Sequence, residues 1–294
     1  MSEPIRRLGV LANLTRPRAR EALEAFAEAA AAQGISLAAP PELAAAFPAQ
    51  RKPETLARGF SPDSVQAVAS LGGDGSLLAA AHELADARLP LVGFNIGHLG
   101  YLTAVNEDGF ADALRQLSLG DYALESRTAL APLLCRAGAR TALPDALNDV
   151  VVSRTGGRAC ALCLEIDGEP AARWTCDGII LSTPTGSTAY ALSVGGPVVL
   201  PGVSAIAISA IAPHALTARP LVVPDSAALA LRLAEGETQP AAIHVDGQDA
   251  QTLAPGETLR VRRSGREISL LVPSGHTPYA ALARKLGWGA GFTR

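Results

Sequence analysis

The stretch SLGGDGSLL, residues 70–78, joins a strand-like run to a helix-like one through three glycines and an aspartate. Glycines at such a junction let backbone amides approach phosphate oxygens, and the helix that follows offers unpaired N–H groups and the positive end of its dipole. Gly72, Gly73, Gly75 and Ser76 are therefore the expected phosphate loop. The same turn is also compatible with an ordinary helix cap by Asp or Ser. Asp74 argues for more than a turn, because a carboxylate beside anionic oxygens is repelled unless it has its own task. Two tasks suit it: accepting a proton from an attacking hydroxyl, or ordering a metal ion that bridges phosphates. The chain contains neither a GxxxxGK[ST] run nor a GxGxxG fingerprint, so this is not a Walker loop or an ordinary dinucleotide motif.

Outward from the loop, strand and helix patterns alternate. RRLGVLAN reads as a strand, and PRAREALEAFAEAAAAQG as an alanine-rich helix closed by Gly34. SVQAVASL is a second strand, LLAAAHELADAR a helix, LPLVGFNIG a further strand, and NEDGFADALRQLSLG a further helix. This beat predicts a Rossmann-like α/β domain with a parallel sheet over residues 1–125. From about Arg127 the pattern changes to short β-type runs, among them DVVVSR, ACALCLEIDGE, GIILST, AIAISAIA and TLRVRRS. LEIDGEP and LAEGETQ read as hairpin turns. Residues 126–274 are thus expected to form a β-rich domain. YAALARKLGW, within the closing stretch 275–294, has helical periodicity and is expected to complete the first domain.

Composition narrows the function. A chain of 294 residues that is 48% hydrophobic and 18% charged buries enough apolar surface to fold. A formal charge of -3 leaves no electrostatic footprint for a duplex or an anionic membrane, so neither nucleic acid nor membrane is an expected partner. The opening MSEPIRRLGVLANLTRP does not read as a secretory signal, and VVLPGVSAIAISAIAPHAL is broken by Pro201, Gly202 and Pro213. A cytoplasmic protein is expected. Cys160 and Cys163 form a CxxC without a second pair or nearby histidines, inside a strand-like alternation, so neither metal nor redox use is expected of them.

A second cluster, TCDGIILSTPTGSTAYALSVGGP at residues 175–197, delivers a strand into a loop dense in hydroxyls. Thr183, Thr185, Ser187 and Thr188 donate and accept, and Tyr190 adds a ring or a phenol, which suits a sugar, a phosphate or an adenine. Such loops also serve as plain caps and turns. Asn148 and Asp149 precede VVVSR and suit either a grip on two ribose hydroxyls or an Asx turn.

In order and spacing, LGGDGSLL, NIGHLGYL, LNDVVVSR, CDGIILSTPTGSTAYALSVGGPVV, HALTARPLVV and HVDGQ resemble the NAD kinase family over nearly the whole chain. The closing KLGW resembles the Gram-negative bacterial branch. GGDG alone also occurs in diacylglycerol-type lipid kinases and phosphofructokinases; STPTGSTAY is far more specific. A lipid kinase would call for a membrane-docking basic helix, which the sequence lacks, and a nucleotide sensor without turnover has no need of an intact Asp74.

The resemblance implies transfer of the γ-phosphoryl group of ATP to the adenosine-ribose 2′-hydroxyl of NAD, giving NADP and ADP, with Asp74 as proton acceptor. It implies NAD contacts across a domain cleft from Asp74, Gly75, Asn148, Asp149, Arg158, Thr175, Asp177, Thr188, Ala189, Tyr190, Ala191, Leu192, Ser193 and Gln248. It further implies a divalent ion, Mg²⁺, arriving with ATP and without a protein cage, and a homodimer or homotetramer built through the β-rich domain. Asp149 stands where many relatives have Glu, and Thr175 where Gram-negative relatives often have Arg; these departures bear on reach to the ligand and on phosphoryl-donor choice. His98 is expected near the site, whereas His214 and His244 read as structural.

Overall fold

The computed structural model describes residues 2–97, 100–103 and 105–288, and the chain divides into one unit of Met1–Ser126 with Ile268–Arg294 and another of Arg127–Glu267. The first begins with β1 (Arg7–Ala12), α1 (Ala19–Ala32), β2 (Ser36–Ala39), α2 (Pro41–Ala44) and β3 (Glu54–Thr55). It continues through β4 (Ala67–Gly72), α3 (Asp74–Glu83), β5 (Leu91–Asn95), β6 (Val105–Asn106) and α4 (Phe110–Leu119).

Strands β5, β4, β1, β2 and β3 lie side by side in that order, all parallel, with β6 beside β5. β4 and β5 are buried along their whole length, as parallel strands covered on both faces must be. On α1, Ala22, Leu23, Phe26, Ala27 and Ala30 form a single buried stripe of helical period. Phe26 meets Phe94 and Phe110 edge to face at centroid distances of 4.9 and 5.6 Å, the geometry the ring quadrupoles favour. Just past α1, Gly34 takes φ +67°, a left-handed conformation that stops the helix.

The second unit is built from β7 (Tyr122–Arg136), β8 (Ala139–Ala142), β9 (Asp149–Arg154), β10 (Cys160–Ile166), β11 (Glu169–Cys176) and β12 (Gly178–Ser182). After α5 (Tyr190–Ser193) come β13 (Ala205–Ile211), β14 (Leu221–Pro224), β15 (Leu229–Leu233), β16 (Ala241–Val245), β17 (Gln248–Leu253) and β18 (Thr258–Pro273). β7 begins and β18 ends in residues of the first unit, where Leu270 pairs with Leu91 and α6 (Pro278–Leu286) follows. The buried Ala281 and Leu282 of α6 belong to that unit's interior.

One sheet of the second unit is antiparallel in the order β14, β13, β12, β9, β16, β17; β11, β10, β15 and β18 form another antiparallel run. Alternate residues such as Val150, Ile179, Ile208 and Ile243 from the first meet Leu162, Leu231 and Val261 from the second in one core. This is a sandwich held by interdigitating inner faces.

LEIDGEP is indeed a hairpin, with Asp167 and Gly168 at φ +52° and +84° between β10 and β11. LAEGETQ is not. Gly236, at φ +89°, lets the chain turn there, but β15 pairs with β10 and β18 while β16 pairs with β9 and β17. A turn flanked by alternating strands looks alike locally whether the strands pair or pass to different sheets; the pairing partners decide.

Candidate active site

At the glycine loop β4 ends on Gly72 and α3 starts at Asp74. A Cβ on Gly72 would overlap Ser76 Oγ, whereas one on Gly75 would meet nothing within 4 Å. Gly75 therefore faces open space, a cleft of about 710 Å³ that Ser76 also lines.

Asp74 sits in the first turn of α3. Its Oδ1 accepts from the backbone N–H of Leu102 (2.9 Å) and Thr103 (3.1 Å) and from the Thr103 hydroxyl (3.1 Å). Among the described residues its Oδ2 accepts only from Tyr101 N–H (2.8 Å), with Lys285 Nζ at 3.9 Å. The Lys285 ammonium also stands 5.7 Å from the Tyr101 ring centroid, so α6 brings a cation to this carboxylate. Oδ1 is saturated and Oδ2 keeps capacity for a further proton or ligand. Gly100 is forced by the same arrangement, since a Cβ there would overlap Asp74 Oδ1. His98 lies outside the described residues.

In the second unit a cavity of about 380 Å³ is lined by Asn148, Asp149, Val151, Ser153, Ala189, Tyr190, His244, Asp246 and Gly247. Asp246 and Gly247, at φ +49° and +76°, form the two-residue turn between β16 and β17. The Asp246 carboxylate turns back to accept the N–H groups of Leu147 (2.9 Å), Asn148 (2.7 Å) and Asp149 (3.1 Å). It thereby fixes the pair that the sequence singled out.

Burial, and next the Asp246 carboxylate, push the Asp149 carboxyl up to about 7. A raised carboxyl lining a cavity makes Asp149 a candidate functional group. Between about pH 4 and this value the folded protein holds a proton that the unfolded chain has released, so stability is full at the acid end and is lost as pH rises through the folded pKa. The urea midpoint is expected to fall between about pH 5 and about pH 8, and Asp149→Asn, which cannot ionise, to flatten that fall. An unchanged pH slope in the variant would exclude Asp149 as its source.

The hydroxyls after β12 are turned inward. Thr183 Oγ1 donates to Leu147 O (2.6 Å) and accepts from Gly186 N–H (3.0 Å); Ser187 Oγ donates to Pro184 O (2.7 Å) and accepts from Val199 N–H (2.9 Å). Thr188 Oγ1 donates to Thr185 O (3.2 Å). These bonds pin the segment so that Ala189 and the 45% exposed Tyr190 border the cavity. A Cβ on Gly186 would overlap the Asn148 backbone carbonyl, which cannot swing aside as a side chain could. Gly186→Ala is expected to cost about 3 kcal/mol, read by urea unfolding, as overpacking against fixed backbone does; a loss below about 0.5 kcal/mol would show that the segment yields freely.

The remaining expected residues are not all in this cavity. Ala191 is buried under the sheet with Val151 and Ile180; Leu192 is half-buried and Ser193 exposed. Gln248 opens β17 beside Gly247, and is exposed. Asp177 precedes β12 and pairs with Arg154 (2.6 Å), at the strand end opposite Asp149, because Ser182 rather than Gly178 stands against Asp149. Thr175 on β11 and Arg158 in the loop before β10 are exposed.

Sequence reasoning did not single out Asp246 or Lys285; His244, read there as structural, lines the cavity with its Nδ1 2.7 Å from Asp249 and its Nε2 2.9 Å from Ser153 Oγ. The Asp-Gly of HVDGQ was a legible turn signal; its reach to Asn148 was not.

Cys160 and Cys163, three apart on β10, point to opposite faces, and burial raises the Cys160 thiol. Among the described residues no three His, Cys, Asp or Glu side chains gather to hold a metal. Of the Asp74 carboxylate only Oδ2 keeps open capacity, which fits an ion carried on nucleotide phosphates and needing few protein ligands.

A parallel α/β unit with a glycine loop at a helix N-terminus, in one chain with a β-sandwich whose cavity presents an amide and carboxylates, defines a nucleotide-dependent phosphotransferase. The family description ATP-NAD kinase N-terminal domain matches residues 8–122, and ATP-NAD kinase C-terminal domain matches residues 147–272. An NAD kinase of Azoarcus sp. (strain BH72) is 45% identical over 221 residues, 75% of this chain and 74% of its own. One of Burkholderia pseudomallei (strain K96243) is 36% identical over 279 residues, 95% of this chain and 88% of its own. The crystal structure of yeast NADH kinase complexed with NADH superposes with a TM-score of 0.86 at 25% identity, covering 98% of this chain and 89% of that one. An NAD kinase from Archaeoglobus fulgidus in complex with ATP shares the fold, with a TM-score of 0.72 at 22% identity over 96% and 98% of the two chains. The chain belongs to the NAD kinase family, and its reaction is the phosphorylation of NAD by ATP to give NADP.

Proposed function

We propose that Asp74 accepts, at Oδ2, the proton of the adenosine-ribose 2′-hydroxyl as that oxygen attacks the γ-phosphorus of ATP. The new O–P bond forms as the bond from γ-phosphorus to the β,γ-bridging oxygen breaks, and ADP leaves. The observation that carries this reading is the asymmetry of the carboxylate, whose Oδ1 is saturated by three donors and whose Oδ2 has one. Backbone bonds to Oδ1 hold the base in place, so positioning precedes proton transfer. Gly75, with open space before it, allows the phosphates close approach, and the α3 N-terminus offers N–H groups to them.

Asn148 and Asp149 hold ribose hydroxyls of NAD, with Ala189 and Tyr190 beside them in the cavity. Thr188, Ala191, Leu192 and Ser193 complete the segment, and Gln248 reaches the ligand from the adjoining turn. Arg158, Thr175 and Asp177 bind NAD by family resemblance. A divalent ion, Mg²⁺, when bound with ATP, neutralises phosphate charge.

The enzyme is cytoplasmic and, on the same resemblance, a homodimer or homotetramer through its β-rich unit. Val203, Leu216, Leu221 and Val222, all exposed at or near the edge strand β14, support that surface. Among the described residues no helix is long and apolar enough to cross a membrane. Purified protein given NAD, ATP and Mg²⁺ is expected to form NADP, read by an NADP-specific dehydrogenase. Phosphorylation of a lipid with no NADP formed would sink the reading.

A further inference from the structure

Arg16 stands against the glycine loop, and among the described residues it has no counter-charge. It lies in the segment between β1 and α1, where its N–H donates to Asn13 O (3.3 Å). Its guanidinium covers Gly73: a Cβ there would stand 3.3 Å from one terminal nitrogen and 3.5 Å from the other. Two residues on, Arg18 is neutralised by Glu21 and Glu107, yet among the described residues no carboxylate pairs with Arg16. A planar fork of donors beside a helix N-terminus is an anion site.

Ser70 is a second, independent pointer. Ala67, Ala69 and Leu71 of β4 face the core shared with α1 and α4, so Ser70 points to the opposite face, which bounds the 710 Å³ cleft. It is 0% exposed and, among the described residues, its hydroxyl has no hydrogen-bond partner. A buried hydroxyl left unpaired is costly, and a ligand atom in the cleft would satisfy it.

The cleft is also polarised. Arg16, Gly75 and Ser76 line it at the N-terminus of α3; Glu83, eight residues beyond Gly75 and so about 12 Å along the helix axis, lines it further along, with Ala79 and Ala80 as apolar wall between, and Glu42 of α2 is a second carboxylate in the lining. A carboxylate repels phosphate but accepts from amino and hydroxyl groups.

We infer that Arg16 binds the triphosphate of the phosphoryl donor at the glycine loop, with the nucleoside lying toward Glu83. The inference rests on ATP being the donor. Arg16→Gln is expected to raise KM for ATP about tenfold to a hundredfold, the loss of a charge-assisted bond pair. KM for NAD and the melting temperature stay unchanged, as do all three in the exposed control Arg20→Gln. Arg16→Lys falls between, because an ammonium keeps the charge but not the fork.

Inorganic tripolyphosphate, competing with ATP, loses affinity in Arg16→Gln by the same factor. Adenosine does not, and it weakens instead in Glu83→Gln. The assignment of Arg16 is overturned if KM for ATP moves less than about twofold, if both KM values rise together with a lowered melting temperature, or if tripolyphosphate does not compete with ATP. Unchanged adenosine affinity in Glu83→Gln overturns the orientation. All these are read on an enzyme that makes NADP, so they are distinct from failure of the kinase reading, in which the unaltered protein makes none.

Discussion

Asp74→Asn is expected to lower kcat by a factor on the order of 10² to 10⁴, the range that general-base catalysis contributes, while affinity for NAD changes little. The amide matches the carboxylate in shape but cannot take the proton of the 2′-hydroxyl. It also has a structural cost. Asparagine keeps one oxygen for Leu102 and Thr103, but turns an NH₂ group toward Tyr101 N–H, which Oδ2 accepted at 2.8 Å. One unmet N–H is worth about 1–3 kcal/mol, enough to lower the melting temperature without unfolding the protein at assay temperature.

Thr103→Val separates the two effects. It removes the hydroxyl donor to Oδ1 and leaves the base intact, so a stability loss with near-normal kcat is expected. If Asp74→Asn retains more than about a tenth of the activity, Asp74 positions the loop and is not the proton acceptor.

Asp246→Ala is the second substitution with a large expected effect. It strips the acceptor from three consecutive N–H groups, those of Leu147, Asn148 and Asp149, all on buried residues. At about 1–3 kcal/mol each, reduced where water can enter, the loss is expected near 4 kcal/mol in urea unfolding. It also removes the anionic neighbour of Asp149, whose pKa then moves down from about 7 but stays raised by burial, the larger cause. With Asn148 and Asp149 no longer held, KM for NAD is expected to rise at least about tenfold. A variant of near-normal stability and KM would show that the turn is held by its own strands and that Asp246 is dispensable.

Much of the fold was legible because its signals are short-range. The helix stripe of Ala22, Leu23 and Phe26 and the apolar runs of β4 and β5 each declare a period of 3.6 or an unbroken buried strand. The weakly patterned edge strands did not: β11 and β17 expose most of their side chains, so no apolar alternation marks them. LAEGETQ had the chemistry of a hairpin and became a passage between sheets.

At the site the same division holds. Asp74 stood out because a carboxylate among phosphate-binding glycines needs a reason, and Asn148–Asp149 stood out as a polar pair at a strand edge. The hydroxyls of STPTGSTAY were legible as a cluster, but not that Thr183, Ser187 and Thr188 would turn into their own loop.

By itself, then, the sequence determined the strand–helix order, the loop at Gly72–Gly73–Asp74–Gly75 and the identity of the family, because backbone freedom, periodicity and motif order are properties of neighbours along the chain. Only the tertiary structure decided which oxygen of Asp74 keeps capacity, since its donors lie 27 to 29 residues away. Likewise Asp246 caps Asp149 from 97 residues away and raises its pKa. Burial and the approach of distant charges set both, and neither has a local signature.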